Sequence, residues 1–334
     1  MRSTVKIGDS LVGEDQPCFV IAEVGSNHDK NLSRARELID IAAASKVSAV
    51  KFQLFKAESF YRPDDPMFSV MKENELPREW LKELYDYAKS RGIIFLASPF
   101  DEDAVELLQE LGSPAFKIAS SETVNLSLLR YTAAKKKPLI ISTGMCNLAD
   151  IYEAVEIVYS AGNKDVILLH SSSLYPTKPQ NANLRVMDTL SEAFHLPVGY
   201  SDHTLGFLMP AVAVAMGACV IEKHLTLSRT LKGPDHSYAL EPSEFEQMVK
   251  GIREVERGLG SPEVKMLPEE KEMARRNSII AKTDIPKGAV ITKNMILVRR
   301  PASGIEPRFM DAVIGQKTKG SIKKDQAISW DMIE

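Results

Sequence analysis

Short runs of apolar and β-branched residues recur along most of the chain, at 19–23, 49–53, 93–97, 115–118, 138–142, 166–170, 198–201 and 219–222. The stretches between them carry helical periodicity. Residues 32–44 place Leu38, Ile41 and Ala42 on one face, 78–89 begin just after Pro77, and 149–160 align Ile151, Val155 and Val158 in a stripe. Strand, helix and strand repeating over about 220 residues predicts a (β/α)8 TIM barrel, with a doubly wound open sheet as the alternative. No Gly-x-Gly-x-x-Gly follows the first run, which argues against a dinucleotide-binding fold.

A helix over 242–256 is expected to complete the barrel, giving a catalytic domain over 1–257. Residues 258–276 read as a linker, with Gly, Pro and mixed charge. The texture then changes. Ile285-Pro286-Lys287-Gly288-Ala289-Val290-Ile291 through Met295-Ile296 repeats weakly as Ile322-Lys323-Lys324-Asp325-Gln326-Ala327-Ile328 through Met332-Ile333. Two such turn-and-strand units predict a small β-rich domain over 277–334, too short to bury much core alone and so expected to dock on something.

Composition narrows the function without naming it. A chain of 334 residues with 44% hydrophobic and 26% charged residues can bury a large core, which excludes large-scale disorder. The net charge of -3 gives no electrostatic footprint for nucleic acid or an anionic membrane. Cys18, Cys146 and Cys219 are scattered and odd in number, as expected of core thiols in a reducing compartment. No signal-like or membrane-spanning run is visible, so a cytoplasmic protein is expected.

In a barrel, polar residues at strand C-termini face one mouth. Glu23, Asn27 and His28 follow the first run, and Lys51 and Gln53 share parity on the second. Further on come Ser98, then Lys117, Ser120, Ser121 and Glu122, then Ser142 and Thr143, the stretch 171–175 ending in Tyr175, Ser201 with His203, and His224. His203 and His224 end adjacent strand-like runs, so their imidazoles can converge on a divalent metal with open positions for water and substrate. Asp235 and His236 lie in the loop beyond, where they can orient a ligand or a bound water. Lys51 and Lys117 inside apolar runs need paired carboxylates or a bound anion. Glu23 and Glu122 are candidate bases or positioning carboxylates, or the salt-bridge partners of those lysines.

The motifs Ile21-Ala22-Glu23-Val24-Gly25-Ser26-Asn27-His28, Lys51-Phe52-Gln53, Ser98-Pro99-Phe100, Phe116-Lys117-Ile118-Ala119-Ser120-Ser121-Glu122, Ser142-Thr143-Gly144-Met145, Tyr200-Ser201-Asp202-His203-Thr204, Glu222-Lys223-His224 and Gly233-Pro234-Asp235-His236 resemble, in order and spacing, the sialic acid (N-acetylneuraminate) synthase family. The tail, with Arg299-Arg300-Pro301, resembles that family's antifreeze-like, or SAF, domain. The resemblance implies a metal-dependent transferase that condenses phosphoenolpyruvate with an open-chain N-acetylated hexosamine to give a nonulosonic acid and phosphate. It implies that His203 and His224 hold Mn²⁺, with Mg²⁺ or Co²⁺ as alternatives, and that Lys51, Lys117, Ser120, Ser142 and Ser201 hold phosphoenolpyruvate with Ser98 nearby. Glu23 and Asp235 would handle protons and hydroxyls, Gln53 and Tyr175 would line the substrate pocket, and Arg300 would reach the sugar from the partner in a domain-swapped homodimer.

Departures from the family pattern bear on the acceptor. Ser171-Ser172-Ser173-Leu174-Tyr175-Pro176 stands where relatives often carry Cys-Thr-x-x-Tyr-Pro, the segment 56–75 is short, and Ala302-Ser303 replaces a glycine-rich turn. N-acetylmannosamine is the leading acceptor. A 2,4-diacetamido-2,4,6-trideoxyhexose, giving a legionaminic or pseudaminic acid, and a spore-coat or other surface polysaccharide sugar are the alternatives. A more distant reading is a Schiff-base aldolase on the same barrel, with Lys117 as the amine.

Overall fold

The computed structural model describes residues 4–273 and 275–334. Residues 1–3 of the expected barrel and residue 274 of the expected linker lie outside that range. The chain divides into two compact units, Met1–Gly260 and Ser261–Glu334.

The first unit opens with an antiparallel hairpin of β1 (Val5–Ile7) and β2 (Ser10–Val12), which the sequence pattern did not announce. Then come β3 (Phe19–Gly25), β4 (Ala49–Leu54), β5 (Ile94–Pro99), β6 (Phe116–Ile118), β7 (Leu139–Ser142), β8 (Val166–Ser171), β9 (Val198–Asp202) and β10 (Val220–His224). They form one parallel eight-stranded sheet in the order β5-β4-β3-β10-β9-β8-β7-β6. Pairing of β10 with β3 joins the last strand to the first, and β5 packs against β6 at the remaining seam, giving the expected barrel. Helices lie between the strands, among them Leu32–Ala44, Leu81–Ser90 and Leu148–Ser160, and Pro242–Leu259 follows the last strand.

Alternation along each strand separates two environments. Residues such as Val20, Ala22, Val50, Phe52, Ile141 and Leu168 face outward and pack with Leu38, Leu84, Leu108 and Val155 of the helices. Their inward neighbours Ile21, Ala49, Leu96, Ala115, Ile140, Ile167 and Val220 fill the lower barrel, where Val5, Ile7 and Val12 of the hairpin join them. The hairpin thus plugs the floor. Gly199 belongs to this layer because a Cβ there would stand 2.4 Å from the Val220 carbonyl oxygen. Ser98, expected just after its strand, lies within β5.

The second unit contains the antiparallel pair β11 (Ser278–Ala281) and β12 (Ile296–Arg299) and several isolated bridges. Its core is built by the repeat seen in the sequence. Ile285, Ile291 and Ile296 are buried, as are their counterparts Ile322, Ile328 and Ile333. Ile285 and Ile322 pair directly across the two copies, each backbone N–H donating to the other's carbonyl. The unit therefore has an apolar core of its own, shared between its repeats, which the expectation from its length alone undervalued. No helix among the described residues is long and apolar enough to cross a membrane.

Ile7 is fully buried in the barrel floor, so replacing it with Ala leaves a cavity among side chains fixed by eight strands. Ile7→Ala is expected to cost about 2–5 kcal/mol of barrel stability, read from denaturant unfolding followed by circular dichroism, whereas the exposed Leu11→Ala should change little.

Candidate active site

One layer above the apolar floor, the inward positions become polar. Glu23 on β3, Lys51 on β4, Lys117 on β6 and Glu222 on β10 are all buried and form a continuous charge network. Lys51 Nζ lies 2.9 Å from Glu23 Oε2 and 3.5 Å from Glu222 Oε2, and Lys117 Nζ lies 3.3 Å from Glu222 Oε1. Neutral groups complete it. Gln53 Nε2 donates to Glu23 Oε1 at 2.6 Å, Lys51 donates to Ser98 Oγ at 3.2 Å, and Ser201 Oγ donates to Glu222 Oε1 at 3.0 Å. Six residues singled out from the sequence thus meet in one place.

Their ionisation follows from burial set against pairing. Burial works against the charge of Lys51, but Glu222 and Glu23 together hold its pKa above the usual lysine value. Lys117 has one close carboxylate and Lys51 nearby, so burial prevails and brings it down to about 8. For Glu222, the two lysines overcome burial and hold it at about 2. Glu23 moves the other way, raised by burial, with Lys51 opposing the shift. The mouth therefore contains a firmly charged carboxylate and one more easily protonated. Glu222 carries no role in the sequence patterns above. Its parity with His224 on β10 was the available signal.

Beside this network stand the two histidines, with ring centroids 5.6 Å apart. Burial brings both down to about 4, helped for His203 by the neighbouring His224, so both are neutral imidazoles near pH 7. His203 Nδ1 bonds the Ser172 carbonyl at 2.8 Å, leaving Nε2 for a ligand. His224 Nδ1 is buried without a hydrogen-bond partner among the described residues. Two neutral imidazoles, one with an orphaned nitrogen, fit a divalent cation. Among the described residues no group of three or more His, Cys, Asp or Glu is placed to hold a metal ion.

Aromatic rings wall this side. Tyr175, at the exposed rim, lies 4.2 Å from His203 and 5.4 Å from Tyr238, and Tyr238 lies 5.0 Å from His224. Asp235 is fixed by the Ser26 N–H at 2.9 Å, Ser26 Oγ at 2.8 Å and Tyr238 OH at 2.6 Å. These donors and the neighbouring His224 hold it below the usual carboxylate value despite burial. Gly25 makes the approach possible. With φ of +53°, it has no Cβ where one would stand 2.5 Å from Asp235 Oδ2.

Hydroxyls occupy the opposite side. Ser120 Oγ accepts the Gly144 N–H at 3.1 Å, while Ser142 Oγ and Ser173 Oγ are buried without partners among the described residues. Several other residues are used up locally. Both ring nitrogens of His236 are engaged, by Asp29 at 2.8 Å and Thr226 at 2.7 Å, which corrects the expectation that it orients a ligand. Glu122 accepts from Ser121 and Asn125 and has no lysine partner among the described residues, so it is not the salt-bridge carboxylate the sequence allowed. Asn27 donates to the Leu225 carbonyl and His28 Nδ1 accepts the Lys30 N–H, both shaping the loop after β3. Arg300 belongs to the second unit.

Residues 38–264 match the NeuB family and residues 276–334 match the SAF domain. The N,N'-diacetyllegionaminic acid synthase of Legionella pneumophila subsp. pneumophila is 40% identical over 344 residues, covering 96% of this chain and 96% of its own. The N-acetylneuraminate-9-phosphate synthase of Homo sapiens is 36% identical over 340 residues, covering 97% of this chain and 94% of its own. Among solved structures, the N-acetylneuraminic acid (sialic acid) synthetase of Leptospira borgpetersenii serovar Hardjo-bovis in complex with citrate aligns with a TM-score of 0.77 at 34% identity, over 82% of this chain and 95% of that one.

The low pKa of Lys117 gives a test with a definite sign. Its ammonium is present below about 8 and lost above it, so if Lys117 holds an anion, binding of inorganic phosphate should weaken as pH rises through that value. The limiting slope is about tenfold per pH unit if only the charged form binds. Isothermal titration of wild type and Lys117→Met should find this step in the first and not in the second.

Proposed function

Because this chain belongs to the NeuB family, with a SAF domain following in sequence, we propose that it condenses phosphoenolpyruvate with an open-chain N-acetylated aminosugar to give a nonulosonic acid and phosphate. The observation that carries this reading is the neutralised Glu23, Lys51, Glu222 and Lys117 network beside a pair of neutral histidines. An enol phosphate nucleophile needs both anionic ends held, and its carbonyl partner needs an electrophilic catalyst away from water.

Lys51 and Lys117 supply positive charge to the phosphoenolpyruvate anion, the hydroxyls of Ser98, Ser120 and Ser142 supply directional hydrogen bonds, and Ser201 joins them by turning its hydroxyl from Glu222 to the anion. The orphaned Ser142 Oγ has its donor uncommitted for that purpose. A divalent ion held by His203 and His224, Mn²⁺ first with Mg²⁺ or Co²⁺ as alternatives, would polarise the acceptor's aldehyde. As C3 of phosphoenolpyruvate bonds to that carbon, the aldehyde oxygen takes up a proton to become a hydroxyl and C2, left electron-poor, takes up water. The hydroxyl so formed on C2 then gives up its proton as the ketone forms and phosphate leaves. Glu23, whose pKa is raised by burial, is the carboxyl suited to accept the proton of that water. Asp235, already receiving three donors, stays ionised and orients acceptor hydroxyls, while Tyr175 bounds the pocket.

N-acetylmannosamine remains the leading acceptor in this proposal. A 2,4-diacetamido-2,4,6-trideoxyhexose is the second reading, favoured by the 40% identity to a protein named as an N,N'-diacetyllegionaminic acid synthase. A cytoplasmic location also belongs to the proposal, supported by the scattered cysteines of the chain. Incubating the protein with phosphoenolpyruvate and a panel of hexoses, read by mass spectrometry, should give a keto acid from one acceptor class. Its formation should stop with EDTA, return with Mn²⁺, and drop by orders of magnitude in His203→Ala. Full turnover in verified metal-free protein would remove the metal from the mechanism, and no condensation with any acceptor would refute the function.

Arg300 enters the proposal as a group supplied to the sugar by a partner subunit in a two-fold dimer. Mixing His203→Ala with Arg300→Ala protein under subunit exchange makes about half the dimers mixed, each with one intact site, so activity should recover to roughly a quarter of wild type. No recovery despite proven exchange would count against a shared site.

A further inference from the structure

One buried ion pair takes no part in the chemistry above, yet it adjoins both histidines. Lys223 stands opposite Asp202 in the β9–β10 register, and their side chains meet at 2.6 Å with no solvent exposure. By strand alternation both point away from the barrel axis, on the face opposite His203 and His224. Lys223 Nζ also donates to the Thr204 carbonyl. Asp202 in turn accepts the Thr204 N–H at 2.8 Å and the Thr204 hydroxyl at 3.1 Å. A single ammonium therefore grips residues 202 and 204, on either side of His203, from the residue that precedes His224.

This grip acts where the sheet no longer does. The last register pair between β9 and β10 is Asp202 with Lys223, so His203 lies just beyond the ladder. Its backbone is otherwise held by the Thr177 N–H donating to its carbonyl at 2.9 Å, and its ring by the Ser172 carbonyl. A buried ion pair is weak evidence for a stability role, because apolar replacements of similar volume often cost nothing. What apolar side chains cannot supply is a directional link between the backbones that carry the two rings.

We propose that Asp202 and Lys223 are positioning residues that set the separation of the His203 and His224 rings and thereby the affinity of the pair for a divalent cation. The inference rests on the metal reading given under Proposed function. Loss of the link leaves both imidazoles present and neutral but free to drift apart, and supporting groups of this kind commonly govern metal affinity.

The test titrates full-length protein with Mn²⁺ and measures free Mn²⁺ by electron paramagnetic resonance. Lys223→Met and Asp202→Asn should each weaken binding roughly 10- to 100-fold. The double variant should be no weaker than the worse single one, because both remove one link. Leu108→Ala, a buried helix position on the outer barrel face, serves as a destabilised control and should keep wild-type affinity. Should Lys223→Met fail to fold, Asp202→Asn preserves side-chain shape and decides the same comparison. Folded variants that bind Mn²⁺ within about twofold of wild type, or a control that weakens as much as they do, would overturn the positioning role. A wild type that binds no Mn²⁺ would overturn the metal reading and this inference together.

Discussion

Four charges withdrawn from water must neutralise one another before any ligand arrives, and the barrel mouth is organised around that constraint. An unpaired ammonium or carboxylate at the depth of Lys51 or Glu222 would cost several kcal/mol even after relaxation. Placing Glu23, Lys51, Lys117 and Glu222 on four strands lets each meet a partner at 2.9–3.5 Å. The balance is uneven by design of position. Lys51 has two carboxylates and Lys117 has one, so Lys117 is the cation held less tightly by protein partners and the one with charge to offer an incoming anion.

The same barrel supports this arrangement by layering. Apolar side chains close the floor, sealed by the hairpin of β1 and β2, so the polar layer has access from one end only. Glycines appear where a side chain would obstruct the plan, at Gly199 in the floor and at Gly25 beside Asp235. Strand alternation then gives each of the last two strands two tasks. Their inner faces present Ser201, Glu222 and His224 to the mouth, while their outer faces lock Asp202 to Lys223 beneath the helices.

Much of this was readable from residue order. Strong apolar runs separated by helical periodicity imply parallel strands, because helices crossing over between such strands bury them on both faces, and closure of β10 onto β3 chose the barrel over the open sheet. Shared parity placed Lys51 and Gln53 on one side, and the tail repeat announced two like units, though not the core that their isoleucines form together. The N-terminal hairpin was missed because its two three-residue strands are too short for a period to register. His236 and Glu122 were misjudged for a different reason. A residue type at a strand end states what chemistry is available, but their hydrogen-bond partners were already supplied by neighbours such as Asp29, Thr226 and Asn125.

The sequence alone determined the repeat of strands and helices, the strand ends at which polar residues gather, and the family, since local periodicity and ordered motifs are properties of the chain itself. Only the tertiary structure decided which charges pair, that Glu222 links the two lysines, and that Lys223 grips both flanks of His203. Those partners come from different strands, 21 residues apart for Lys223 and Asp202 and far more for Glu222 and Lys51. Ionisation and hydrogen bonding depend on distances that exist only once the sheet has closed.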